Sequence, residues 1–199
     1  MVVDIGAHKG FFALYAALSC SEQSKIVCLE PSSANFAGLL KNIDLNGIKN
    51  VQAVNKGVLS TEGEMTLYLY STANHSIYKE YPNIINKKAV TTETVPVMTL
   101  PQICQQYQID TIDFLKLDCE GSEYDILYNL GAAMFERIAI ISLEFHDLHD
   151  PERSGYTLAF FLLKMGYTIT KFAYLETISK VHSGQIIAVN NRKISHVSN

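Results

Sequence analysis

The sequence has no tryptophan, no Cys-x-x-Cys pair and no excess of basic residues. Its four cysteines stand at positions 20, 28, 104 and 119, so the spacing typical of zinc and redox motifs is absent. Isolated cysteines of this kind are typical of free thiols in a reducing compartment, and we expect a cytoplasmic protein. The 16 lysines and arginines are scattered among 20 aspartates and glutamates, which argues against a nucleic-acid partner.

Long apolar runs are also missing. No run approaches the roughly 20 residues that a membrane-spanning helix needs. Residues 11–18 are apolar and end at Ser19-Cys20, but Asp4 lies where a secretion signal would be positively charged, so we expect no signal peptide. With 199 residues and 48% hydrophobic content, the chain fits one domain over 1–199, and the polar residues 190–199 are expected to fray.

Apolar strands and amphipathic helices alternate along the first part of the chain. The pattern predicts strands at 2–5, 25–30 and 51–59 and helices at 11–18 and from an N-cap at Ser32 or Ser33 to about Asn46. Strands that alternate with helices in this way are typical of a parallel sheet.

The second part of the chain continues the alternation and then changes. Further strands are predicted at 112–118, 137–145, 167–175 and 184–189, and helices at 100–107, 123–130 and 156–165. The last two strands are close enough in sequence to pair antiparallel. We therefore predict a doubly wound α/β fold, with a mostly parallel seven-stranded sheet, helices on both faces and an antiparallel C-terminal strand pair.

One region interrupts this scheme. Residues 64–70 alternate between apolar and polar side chains, which predicts an antiparallel strand with one buried face. A polar stretch over 71–94 follows, and residues 95–98 are again extended. We interpret 60–98 as a hairpin with an insertion loop near the ligand-binding edge of the sheet.

The opening segment, residues 2–12, has the pattern of a nucleotide-cofactor site. Gly6 and Gly10 allow a close backbone approach where a strand turns into a helix, and Glu30 follows Gly10 by 20 positions, where a carboxylate can bind ribose hydroxyls. NAD-binding turns need glycines where this chain has His8 and Phe11. The carboxylate of Asp4 suits a cationic ligand without phosphates, which favours S-adenosylmethionine over NAD.

A second acidic motif, residues 116–123, lies where a predicted strand turns into a helix. Asp118 ends the strand, at the sheet edge where ligands bind in doubly wound folds. Glu120 and Glu123 suit such a site, but they are also the residues that favour a helix N-terminus. The sequence leaves both interpretations open for these two glutamates.

Together these motifs resemble the FkbM-type methyltransferase family. The resemblance extends over essentially the whole chain and is carried by Val3–Gly10, Leu29–Ser32, Leu40–Asn42 with Asn46, Asn74–Ser76 and Lys116–Glu123. His8-Lys9 departs from the family, which more often has asparagine followed by a small or apolar residue.

The resemblance implies a class I, Rossmann-like enzyme that uses S-adenosylmethionine to methylate hydroxyl groups of sugars or small natural products. The cofactor-binding residues would be Asp4, Gly6, Ala7, His8, Gly10, Glu30, Pro31 and Asp118. The acceptor-binding residues would be Asn74, Ser76, Glu120 and Glu123.

The segment 144–150 follows a strand that should end at the same edge. Neutral His146 could remove a hydroxyl proton, so we predict His146, Asp118 and Glu144 as catalytic residues. A divalent metal held with Asp118 and a solvated acidic loop are the alternatives for this segment. An NAD-type oxidoreductase and a non-catalytic cofactor-binding module remain as alternative functions.

Overall fold

A mostly parallel β-sheet forms the centre of the computed structural model, which describes residues 1–70, 75–79, 91–148, 150–176 and 182–194. The strands in chain order are β1 (Val2–Ile5), β2 (Ile26–Leu29), β3 (Val51–Val54), β4 (Gly57–Val58), β5 (Gly63–Leu69), β6 (Thr91–Met98), β7 (Ile112–Leu117), β8 (Ile138–His146), β9 (Tyr167–Glu176) and β10 (His182–Asn190). The helices are α1 (Phe11–Ser19), α2 (Ser33–Leu45), α3 (Leu100–Gln106), α4 (Glu123–Tyr128), α5 (Ala132–Phe135), α6 (Gly155–Lys164) and α7 (Asn191–Ile194).

The main sheet has seven strands in the order β3-β2-β1-β7-β8-β10-β9. The first five of these are parallel to one another, whereas β10 runs antiparallel to both β8 and β9. The predicted fold class is thereby confirmed. The carboxyl ends of β1, β2, β7 and β8 meet at one edge, where doubly wound folds bind their ligands.

Apolar residues on both faces of these strands explain the layered arrangement. One face packs against α1 and α2 through residues such as Ala13 and Leu39, and the other packs against α3, α4 and α6 through Ile103, Leu127 and Leu158. Strands buried on both faces require apolar residues at nearly every position, as in β1 and β2. No helix within the described ranges combines the length and hydrophobicity needed to cross a bilayer.

The predicted strand 51–59 is divided between two sheets. Residues Val51–Val54 pair with β2, but Gly57–Val58 form β4 in a separate sheet of order β4-β6-β5. Between them, the side-chain amide of Asn55 donates hydrogen bonds to the carbonyls of Glu30 (2.8 Å) and Pro31 (3.0 Å). These bonds end the pairing of β3 and direct the chain out of the main sheet.

The predicted hairpin is present in this second sheet. Strands β5 and β6 pair antiparallel from Gly63 with Val97 to Leu69 with Thr91, so β6 begins earlier than the expected residue 95. Most of the predicted insertion loop, residues 71–74 and 80–90, lies outside the described residues. Between these two stretches, Ser76 bridges to Tyr68 at the edge of β5.

The predicted frayed tail, residues 190–199, begins with ordered residues, and its last five residues, 195–199, lie outside the described part of the chain. Asn190 is buried, and its side-chain amide donates to the carbonyls of Phe135 (2.9 Å) and Ile138 (3.0 Å). The short helix α7 follows directly. Because these bonds satisfy two carbonyls between α5 and β8, Asn190 belongs to the fold rather than to a tail.

Candidate active site

The turn between β1 and α1 has an unusual backbone. Gly6, His8 and Gly10 all have positive φ angles, of 79°, 52° and 83°. The amides of Gly6 and Ala7 both donate to the carbonyl of Leu29, at 3.0 and 2.9 Å, which joins the turn to the end of β2. A Cβ on Gly6 would lie 1.9 Å from the carbonyl oxygen of Asp118, so only glycine fits between β1 and the end of β7.

Glu30 occupies the end of β2 beside this turn. Its carboxylate accepts hydrogen bonds from the backbone amides of His8 (2.8 Å) and Ser32 (2.9 Å) and a longer one from the side chain of Asn35 (3.5 Å). Burial raises the pKa of Glu30, and the two backbone amides oppose that shift. A carboxylate offers about four acceptor positions, so it can accept further bonds from a ligand.

A cleft of about 240 Å³ opens between the glycine turn, the end of β7 and the small sheet. Of the predicted site residues, it is lined by Gly6, His8, Glu30, Pro31, Asp118 and Glu120. Residues that the sequence analysis did not assign to the site also line it, among them Asn35, Lys56, Met65, Leu67 and Ile77. The cleft thus has a carboxylate-rich side and an apolar wall.

Asp4 and Asp118 share a single ammonium group. The Nζ atom of Lys116 lies 3.2 Å from Asp4 and 3.4 Å from Asp118. Burial opposes the charge on Lys116, but the two carboxylates raise its pKa above the ordinary value. Asp4 is fully buried below the turn, so direct contact with the cofactor, as predicted for it, is not favoured. Its position favours an indirect effect through Lys116.

The motif 116–123 forms a tight turn that Glu123 holds together. Glu120 and Gly121 have positive φ angles, of 53° and 104°. The carboxylate of Glu123 accepts hydrogen bonds from the backbone amides of Cys119 (2.8 Å) and Gly121 (2.9 Å). Since Glu123 is completely buried, its geometry argues against the predicted contact with an acceptor and for a structural role in the turn.

Ser76 supports the same turn from the opposite side. Its hydroxyl donates to the carbonyl of Glu120 (2.9 Å) and accepts from the amide of Tyr78 (3.2 Å). Ser76 is buried, so its position favours support of the turn over the predicted acceptor binding. Asn74, the other acceptor-binding residue predicted from this segment, lies outside the described residues.

His146, at the end of β8, is surrounded by carboxylates. Its Nδ1 atom lies 3.5 Å from Glu123, and its Nε2 atom lies 3.5 Å from Glu120 and 3.6 Å from Glu144. Burial alone would lower the pKa of His146, but these carboxylates raise it well above the ordinary value. The imidazole also lowers the pKa of Glu144. A histidine that holds its proton is poorly suited to the predicted role of general base.

Several of these contributions could not be assigned from the sequence. Asn55 ends the pairing of β3 by donating to two carbonyls at the end of β2, and Asn35 donates to the carboxylate of Glu30. Neither contact can be seen without the positions of these acceptors. The ion pair of Lys116 could have been predicted, because a lysine within an apolar strand needs a buried partner of opposite charge. Asp4, on the adjacent strand, is that partner.

The sequence profile of the Methyltransferase FkbM domain matches residues 4–169, which include the glycine turn, Glu30, the 116–123 turn and His146. The chain belongs to the FkbM methyltransferase family. The match confirms the resemblance drawn from the motifs.

Two curated methyltransferases are similar to most of this FkbM chain. Methyltransferase 1 of Beauveria bassiana is 26% identical over 163 residues, which is 73% of this chain and 64% of that protein. Methyltransferase sdnD of Sordaria araneosa is 26% identical over 169 residues, covering 72% and 65% of the two chains. The matched regions are thus slightly less than two thirds of these relatives.

Solved structures agree on the fold of this FkbM chain. The FkbM methyltransferase of Methylobacillus flagellatus superposes with a TM-score of 0.59 at 16% identity, covering 94% of this chain and 43% of that one. TrmK of M. capricolum, solved with S-adenosyl-homocysteine, superposes with a TM-score of 0.56 at 11% identity, covering 96% and 62%. At these identities the likeness establishes the class I methyltransferase fold.

Proposed function

We propose that this chain is an S-adenosylmethionine-dependent methyltransferase that transfers the methyl group to a hydroxyl of a sugar or small natural product. The observation that carries the proposal is the position of the Glu30 carboxylate, at the end of β2 and in the wall of the same cleft as Gly6 and Asp118. Family membership supports methyl transfer, and the choice of a hydroxyl acceptor rests on the family resemblance.

The donor groups of the cleft fit this cofactor. Glu30 is placed to accept hydrogen bonds from ribose hydroxyls, and the apolar wall of Met65, Leu67 and Ile77 suits an aromatic base. Asp118 and Glu120 give the other side of the cleft a negative charge, which suits an ammonium and a sulfonium group. The same carboxylates disfavour the pyrophosphate of NAD, so we do not retain an oxidoreductase function.

In the proposed reaction, the cofactor supplies a methyl group that is already activated by a sulfonium. The protein therefore has to hold the acceptor oxygen in line with that methyl group and to receive the hydroxyl proton. We assign the proton to Asp118, which lines the cleft and whose pKa is raised by burial against the effect of Lys116. Glu144 is the weaker base, because His146 lowers its pKa.

A cytoplasmic location remains a prediction. All four cysteines are free in the structure, with Cys28 and Cys104 buried, which supports a reducing compartment.

Calorimetric titration with S-adenosylhomocysteine tests the cofactor assignment. We expect Glu30→Ala to weaken binding at least about tenfold, which corresponds to about 1.4 kcal/mol, because two ribose hydrogen bonds are lost. The matched control is Glu22→Ala, which removes an exposed carboxylate far from the cleft and should bind like the wild type. Transfer of labelled methyl to candidate sugars then tests the acceptor class.

Glu30 also accepts two backbone hydrogen bonds, so the alanine variant could disturb the turn. Glu30→Gln, which keeps the size of the side chain, separates the two effects when circular dichroism confirms the fold. Equal affinity of the wild type and a folded Glu30→Gln variant would contradict the ribose assignment.

A further inference from the structure

Three potential metal ligands converge at the edge of the sheet outside the cofactor-binding turn. One carboxylate oxygen of Asp118, one of Glu120 and a ring nitrogen of His146 all lie within 4.8 Å of one another. Two adjacent strand ends and the turn after β7 supply them, so the fold itself brings them together. Two carboxylates and one imidazole form a donor set that divalent cations accept.

The orientation of His146 is that of a metal-ligating imidazole. Glu123 lies 3.5 Å from Nδ1, while Nε2 is directed towards Glu120 at 3.5 Å and Glu144 at 3.6 Å. Glu123 is itself fixed by two backbone amides, so it holds the ring in one orientation. A histidine that binds a metal through one ring nitrogen usually has a carboxylate beside the other ring nitrogen. Glu123 occupies that position at Nδ1, and Nε2 is the atom directed towards the acidic groups.

The ligands are accessible from solvent although the histidine is buried. The side chains of Asp118 and Glu120 are 35% and 17% exposed, whereas the side chain of His146 is 3% exposed. An ion could therefore reach the carboxylates without opening the fold.

The charge around Asp118 gives a second, independent reason to expect a cation. The carboxylate of Asp4 is completely buried, and apart from its ion pair with Lys116 no described group donates a hydrogen bond to either oxygen. Lys116, whose ammonium is the only one paired with Asp118 among the described residues, is therefore also paired with Asp4 and compensates the charge of Asp118 only in part. Within this group, five carboxylates face two basic side chains: Asp4, Asp118, Glu120, Glu123 and Glu144 against Lys116 and His146.

We propose that Asp118, Glu120 and His146 bind a divalent cation of the Mn²⁺ or Mg²⁺ type, with Glu123 as the residue that orients His146. The ion replaces the proton on Nε2 of His146, and this proton is released to solvent when the metal binds. The ion would sit at the edge of the cleft that Asp118 and Glu120 line, where it would bind the oxygen of an acceptor hydroxyl and make that hydroxyl more acidic. The proton would pass to the carboxylate oxygen of Asp118 that the ion does not use. This second role rests on the proposed methyl transfer, whereas the metal site itself does not.

Titration of the full chain with Mn²⁺ alone, followed by electron paramagnetic resonance of the free ion, tests the site without cofactor or acceptor. We expect one saturable site in the wild type and at least tenfold weaker binding in Glu120→Gln. Glu22→Gln, which removes one negative charge at an exposed position, is the control and should bind as the wild type does. Asp118→Asn, which removes another of the three ligands, is the second variant if Glu120→Gln fails to fold.

The absence of a saturable site at millimolar Mn²⁺ would overturn the proposal. Equal affinity in the wild type and in a folded Glu120→Gln or Asp118→Asn variant would equally overturn it, because a diffuse surface charge would explain such binding. Methyl transfer is measured separately with a chelator and with added Mn²⁺. Binding of Mn²⁺ together with chelator-insensitive transfer would remove the proposed role in acceptor activation, while lack of any transfer would concern the proposed function alone.

Discussion

At the level of single residues, the site depends on how its buried carboxylates are compensated. Glu30 is compensated by backbone amides, Glu123 by backbone amides and an imidazole, and Asp4 by a lysine that it shares. The backbone amides hold the carboxylates of Glu30 and Glu123 in fixed positions. Compensation by a shared ammonium leaves excess negative charge, and this makes Asp4 the most costly charge of the three to bury.

Asp4→Asn should therefore stabilise the fold at high pH. Burial raises the pKa of Asp4 above 3.8, even though Lys116 opposes the shift. The folded state then holds the proton more tightly than the unfolded state, so the charged carboxylate costs stability, and this cost appears as the pH rises through the folded pKa. We expect the free energy of unfolding to increase by about 1 kcal/mol in Asp4→Asn at pH 8, with a smaller difference near pH 4, where the unfolded state also begins to hold the proton.

Urea denaturation at both pH values measures this effect. Asp110→Asn, at an exposed position, is the control and should change stability by less than about 0.5 kcal/mol. A wild type that is more stable than Asp4→Asn at pH 8 would mean that the ion pair with Lys116 outweighs the cost of burial.

Residue identity alone predicted some of these roles and not others. Glu30 could be assigned from its spacing after Gly10, because the βαβ geometry fixes where the second strand ends. Glu123 and Ser76 could not, since their bonds are to backbone atoms of the 118–121 turn, whose conformation the sequence does not reveal. The assignment of His146 as a base did not take into account Glu120 and Glu123, which the turn after β7 brings against the imidazole.

At the level of elements, the site is built where two turns touch. The turn after β1 and the turn after β7 are in contact through Gly6 and the carbonyl of Asp118. The second turn is also attached to the small sheet through Ser76 and Glu120. Because these contacts involve backbone atoms, the distance between the two turns varies less than it would if only side chains were in contact.

Gly6→Ala should consequently be far more harmful than an alanine at another glycine with positive φ. At Gly6 the new Cβ would lie 1.9 Å from a backbone oxygen, whereas at Gly47, with φ 63°, it would meet nothing within 4 Å. We expect Gly47→Ala to cost about 1 kcal/mol for its conformation alone and Gly6→Ala to cost about 3 kcal/mol or more. Denaturation of both variants, with titration of S-adenosylhomocysteine, measures the difference, and similar costs would show that the two turns can separate.

The division of the predicted strand 51–59 shows that the apolar pattern of a sequence does not predict where a strand is interrupted. Apolar residues continue through Val58, so the pattern predicts one strand. The bonds from Asn55 to Glu30 and Pro31 interrupt it, and such long-range bonds by a polar side chain leave no periodic signal. Element types were otherwise predictable because most strands and helices are strongly apolar on the faces that they bury.

At the level of the whole molecule, cofactor binding should stabilise the folded chain. Since the site requires β1, β2 and β7 together, the unfolded chain cannot form it. We expect S-adenosylhomocysteine at about 100 times its dissociation constant to add about 2.7 kcal/mol to the free energy of unfolding, and NAD at the same concentration to add nothing measurable. Thermal unfolding with each compound is the measurement, and equal stabilisation by NAD would return the oxidoreductase hypothesis to consideration.

The central position of β1 has a consequence for how the chain reaches this structure. Val2 pairs with Ile26 on one side and with Phe114 on the other. One edge of β1 can be covered soon after it leaves the ribosome, but the other stays open until β7 has been made. Pairing between such distant segments gives a high contact order, so we expect slow, cooperative folding in which the turns after β1 and β7 take shape only in the last step.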